Sequence, residues 1–107
     1  MRIADLVALL DNLSASDVDD WIARGWIRPE PEATDYTFSD TDVARVHLIY
    51  DLRIRMAFDD DATGVILSLL DEVHGLRRQL LSVSAAVSGQ PDDVRTALLS
   101  ALRDARN

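Results

Sequence analysis

Apolar residues recur at helical spacing through most of the chain. Ile3, Leu6, Val7 and Leu10 predict a short first helix, and Asp11-Asn12-Leu13 a turn. Ser14 and Asp17 have the spacing of a capping box, in which each side chain bonds the other residue's backbone N–H. Val18, Trp21 and Ile22 form the apolar side of a second helix. Gly25 is placed to end it, since glycine takes the left-handed C′ conformation at little cost. Residues 27–38 predict a small hairpin. Tyr36-Thr37-Phe38 alternates like a short strand, Glu30 to Asp35 is turn-forming, and Pro29 and Pro31 weaken the first arm. Ser39 and Asp42 repeat the capping spacing ahead of a third helix, which runs to about Met56 with Val43, Val46, Ile49, Tyr50 and Ile54 on one side.

Ala57-Phe58 breaks the pattern, and Asp59 is placed to cap a fourth helix. Ile66, Leu69, Val73, Leu76, Leu80, Val83 and Val87 then recur at spacings of 3, 4, 3, 4, 3 and 4. This is an a/d heptad seam, the pattern of a coiled coil, and it predicts a homodimer through these seven residues. Packing within one chain, against the last helix, is the other outcome the pattern allows. Leu67, Leu70 and Leu81 lie off the seam and are expected to face the domain body. A helix over residues 60–88 would span about 43 Å, longer than a domain this small needs for its own core. Ser88-Gly89-Gln90-Pro91 ends it, and Val94, Leu98, Ala101, Leu102 and Ala105 align on a fifth helix. The expected organisation is a winged-helix region at 1–58 and a helical region at 59–107, compact together.

Composition narrows the function. The chain has 107 residues, 48% hydrophobic and 28% charged, which suits one folded domain. No apolar run could cross a membrane and no secretion signal is readable, so a cytoplasmic location is expected. Absence of cysteine excludes disulfides and thiolate chemistry. His47 and His74 lack paired ligand spacing, so no metal and no cofactor are expected. No glycine-rich phosphate loop or nucleophile constellation is present, so no enzyme is expected. The net charge of −8 opposes duplex DNA, whose binders neutralise phosphates with Lys and Arg. All 11 basic residues are Arg, while acids gather in residues 1–42 and at Asp59-Asp60-Asp61.

The run from Leu13 to Pro29, with Trp21-Ile22-Ala23-Arg24-Gly25-Trp26-Ile27 at its centre, resembles the second helix and wing entry of MerR-type regulators. Tyr36-Thr37-Phe38-Ser39-Asp40-Thr41-Asp42-Val43-Ala44-Arg45-Val46 resembles the wing exit. The resemblance covers residues 3 to about 87. It implies an all-α winged helix-turn-helix fold with a small β-hairpin wing and a long C-terminal dimerisation helix. The last helix is an addition to that plan. Where the family's second helix carries basic residues for the major groove, this chain has Asp17, Asp19 and Asp20 against one Arg24, and its wing has Glu30, Glu32 and Asp35.

Among MerR-like proteins the chain is similar to the CbpM chaperone-modulator family, through Leu52-Arg53, Ala57-Phe58-Asp59, Val65, Leu67, Leu69, Asp71 and Leu76. Those small bacterial proteins bind the J-domain of a DnaJ-like co-chaperone, CbpA, and block its use of DnaK. The resemblance implies the same function here. An acidic protein would occupy the basic J-domain helix that DnaK otherwise receives. The expected partner surface draws on Asp59, Asp60 and Asp61, on Asp17, Asp19, Asp20, Glu30, Glu32 and Asp35, and on Arg53. Asp59–Asp61 also suit a plain capped helix start, since acids in a first turn complement the helix dipole. Trp21 and Trp26 are expected in the core and against the wing. The rival functions are a DNA-binding MerR-type regulator and an adaptor for another basic protein.

Overall fold

A computed structural model of the chain describes residues 1–106. Its elements are α1 (Ile3–Leu9), α2 (Ala15–Ala23), β1 (Glu30–Glu32), β2 (Asp35–Thr37), α3 (Asp40–Tyr50), a π-helical turn (Asp51–Arg55), α4 (Asp60–Ser88) and α5 (Asp92–Arg106). The described residues are thus mostly helical, with five α-helices and one two-stranded antiparallel hairpin. It divides into two compact units, Met1–Ser68 and Leu69 onward.

In the first unit local chemistry sets the element ends. Ser14 Oγ accepts from Asp17 N at 3.1 Å while Asp17 Oδ2 accepts from Ser14 N at 3.0 Å. Ser39 and Asp42 make the same reciprocal pair at 3.2 and 2.9 Å. These bonds satisfy N–H groups that the helix itself leaves open. Gly25, at φ +75°, closes α2. Its N–H reaches Ile22 O at 3.0 Å and the Trp26 N–H reaches Trp21 O at 3.0 Å, the paired bonds of a Schellman motif. The hairpin pairs Glu30 with Thr37, Pro31 with Tyr36 and Glu32 with Asp35, leaving a two-residue turn. The first arm is therefore longer, and the turn shorter, than the polar run from Glu30 to Asp35 suggests. Ala33 holds φ +52° in that turn.

The core is Leu6, Leu13, Val18, Trp21, Ile27, Phe38, Val46, Ile49, Leu52 and Leu67. Each helix of this unit contributes, and α4 enters through Leu67 beside the fully buried Thr63. Three bonds fasten the elements. Tyr50 Oη donates to Asp11 O at 2.7 Å, Arg45 Nε to Trp26 O at 2.8 Å, and Phe38 N to Met1 O at 2.7 Å. The third helix does not remain α-helical to Met56. Its last turn widens, with Met56 N bonding Asp51 O across five residues. Ala57 then takes φ +57° and Phe58 N bonds Leu52 O, which turns the chain into α4.

Thr63 Oγ1 is buried and has no hydrogen-bond partner among the described residues. An unsatisfied buried hydroxyl costs about 1–3 kcal/mol. Valine has the same shape without that group. Thr63→Val is therefore expected to stabilise the protein by about 1 kcal/mol, a rise in Tm of roughly 4–8 °C. A fall in Tm on thermal melting would show that the hydroxyl makes a needed bond.

The second unit comprises the rest of α4 and α5, and no described residue in it is buried. Leu81, which its off-seam position predicts to be covered, is 70% exposed. Leu70 is half-buried, and Leu67 meets the expectation in full. Gly75 lies inside α4, where a Cβ would meet Arg78 Nη2 at 3.7 Å, an ordinary contact. Glycine costs a helix interior about 0.5–1 kcal/mol against alanine. Gly75→Ala should raise the midpoint of α4 melting, followed by circular dichroism, with no loss of helix content.

Candidate functional site

Charge is divided sharply between the units. Residues 1–68 hold fourteen acids and six arginines, whereas residues 69–107 hold five of each. The entire −8 therefore resides on the first unit.

One acidic patch surrounds Arg24. Its Nε donates to Asp20 Oδ2 at 2.9 Å and its Nη2 to Asp60 Oδ2 at 2.9 Å. Arg53 Nη2 holds the other Asp60 oxygen at 3.1 Å and donates from Nη1 to Phe58 O. Asp60 thus joins α2, the π turn and the start of α4. The hydrogen bond to Asp20 holds the Arg24 pKa above its ordinary value, aided by the charges of Asp20, Asp60 and Asp61 and opposed by partial desolvation. An arginine so placed stays charged at every accessible pH. Its guanidinium also lies 5.3 Å from the Trp26 ring centroid, a cation–π distance. The second acidic patch is the hairpin. Glu32 accepts from Thr37 Oγ1 and lies 3.6 Å from Arg2, while Asp35 caps Tyr36 N and lies 3.8 Å from Arg2.

The expected surface residues therefore separate by what they already hold. Asp17 completes the α2 cap, and Asp59 caps α4 by accepting from Ala62 N at 2.7 Å. Asp20, Asp60 and Arg53 form the Arg24 network, and Glu32 and Asp35 belong to the hairpin. Asp19, Glu30 and Asp61 are exposed and make no ion pair or hydrogen bond among the described residues. These three carboxylates are the ones open to a partner. Arg24 is the C-cap residue of α2, and its double tether was not readable from sequence, since Asp60 lies 36 residues away.

The seam residues Leu69, Val73, Leu76, Leu80 and Val83 are exposed, Val87 is half-buried, and Ile66 packs against the first unit's core. Trp21 is buried in the core as expected, and Trp26 is half-buried against the core, with Gly64 of α4 near its ring. His47 and His74 are exposed, and no group of three acidic or histidine side chains among the described residues could hold a metal. No described helix is long and apolar enough to cross a membrane. No protein-family model matches the chain, and no curated protein or solved structure matches it either.

Proposed function

We propose that the first unit is a MerR-like winged helix-turn-helix domain that acts as a chaperone modulator, binding the J-domain of a DnaJ-like (CbpA-type) co-chaperone and keeping it from DnaK. In this reading α1 and α2 are the helix-turn-helix, the β1–β2 hairpin is the wing, and residues 1–58 form the winged region that Thr63 and Leu67 of α4 complete. Residues 59–107 form the helical interaction region.

One observation carries the proposal. The only cation of the α2 stretch, Arg24, is folded back onto Asp20 and Asp60, while Asp19, Glu30 and Asp61 face solvent unpaired. A surface of that sign attracts a basic helix and repels phosphates. The same observation disfavours the DNA-binding regulator, which would present several free arginines from α2 and the wing; of the two there, Arg24 is tethered and Arg28 alone is exposed and unpaired among the described residues. An adaptor for another basic protein remains the second reading, since charge selects a basic partner more readily than it names one. Co-purification tests the choice: immobilised chain should retain a J-domain at moderate salt and release it as salt rises. Failure to retain any J-domain, with the chain folded, removes the chaperone reading.

A further inference from the structure

We infer that Arg24 is an internal competitor of the basic partner, an autoinhibitory contact that keeps Asp20 and Asp60 closed until an arginine of the partner displaces it. This rests on the proposed binding of a basic J-domain helix and deepens it, by naming what regulates that surface. α2 carries Asp19 and Asp20, and the first turn of α4 carries Asp60 and Asp61. One acid on each helix, Asp19 and Asp61, is open among the described residues. The other is held by Arg24, whose Nε reaches Asp20 Oδ2 and whose Nη2 reaches Asp60 Oδ2, both at 2.9 Å. One guanidinium thus neutralises carboxylates from two helices, and a partner meets two open acids in place of four.

The fold does not depend on this contact. Backbone bonds close α2 without the Arg24 side chain: Arg24 N donates to Asp20 O, Gly25 N to Ile22 O and Trp26 N to Trp21 O. Asp60 keeps a second arginine, since Arg53 Nη2 holds its Oδ1 at 3.1 Å. The Arg24, Asp20 and Asp60 side chains are 39%, 51% and 39% exposed. Ion pairs this exposed add little to stability, so release of Arg24 costs the fold little. The geometry also names the group that replaces it. Two carboxylate oxygens sit on separate nitrogens of one planar fork, and the Trp26 ring centroid lies 5.3 Å from its central carbon. Forked donors and a stacking face suit a guanidinium better than an ammonium, so an arginine of the partner fits where Arg24 now lies.

Arg24→Gln and Arg28→Gln separate release of the carboxylates from a plain change of charge. Each removes one positive charge from the same stretch, but Arg28 is exposed and unpaired among the described residues, so its loss frees no acid. Surface plasmon resonance should show J-domain affinity raised about three- to tenfold by Arg24→Gln and by no more than about twofold by Arg28→Gln. Adding Asp20→Asn should cancel most of the Arg24→Gln gain, and should change Arg28→Gln binding by no more than about twofold. Arg24→Lys, which keeps the charge without the fork, should gain less than Arg24→Gln. Thermal melting should show both Arg24 variants folded. Equal gains from Arg24→Gln and Arg28→Gln would make net charge the whole effect and overturn the inference, with the J-domain reading intact. Weaker binding by folded Arg24→Gln overturns it as well, as does failure of both Arg24 variants to fold, since the fold would then need the contact. Absence of J-domain binding by the native chain and by Arg24→Gln alike removes the J-domain reading, and this inference with it.

Discussion

Trp21→Ala is expected to destabilise the protein by about 3–5 kcal/mol, the usual cost of emptying a large buried aromatic site. Trp21 is 3% exposed and lies among Leu6, Val18, Ile49 and the other core residues. Its backbone carbonyl also accepts from Trp26 N in the motif that ends α2. Total stabilities of small domains are about 5–15 kcal/mol, so the variant should unfold at much lower urea and be largely unfolded at body temperature. Trp26→Ala provides the contrast. That ring is half-buried and stacked by Arg24, with the Gly64 backbone near its edge. Its loss should cost less, about 1–3 kcal/mol. Urea denaturation of both variants checks the order. Equal losses would contradict the placement of Trp21 at the centre of the core.

Reversing the three open carboxylates, as Asp19→Arg, Glu30→Arg and Asp61→Arg together, should weaken J-domain binding about tenfold to a hundredfold, each tenfold being about 1.4 kcal/mol. The loss should appear mainly as slower association that depends less on salt. None of the three caps a helix or pairs with an arginine, so the fold should survive the change. That separates this variant from reversal at Asp59 or Asp60. Asp59 is the α4 cap and Asp60 carries Arg24 and Arg53, so those changes would disturb the start of α4 as well as the surface charge. Surface plasmon resonance on the folded triple variant reads the effect directly. Unchanged association kinetics would remove these carboxylates from the interface.

Local patterns were the legible part of the fold. Both serine capping boxes, the glycine end of α2, the hairpin and the extent of α4 could be read from spacing, because each depends on residues within a few positions. The π-helical last turn of the third helix could not. It is set by where Leu52 must lie in the core and by the left-handed Ala57 that follows. Thr63 was missed because it is polar, although it lies four residues before Leu67, on the face of α4 expected to meet the domain body. Leu81 was misplaced because heptad spacing tells which side a residue is on, not how far along the helix the core extends. The same limit applied to the acidic surface. Sequence found the acids but could not tell Asp60, held by two arginines, from Asp61 beside it, held by none. That distinction needed the fold, which brings Arg24 and Arg53 to one carboxylate.

The central claim is that a helix-turn-helix scaffold here presents an acidic face to a basic protein. Side-by-side titration of the chain with a J-domain and with a DNA duplex, both at low salt, tests it most directly. The account predicts saturable J-domain binding that weakens as salt rises, and no shift of the duplex. Tight, salt-sensitive binding to the duplex with no J-domain interaction would contradict it.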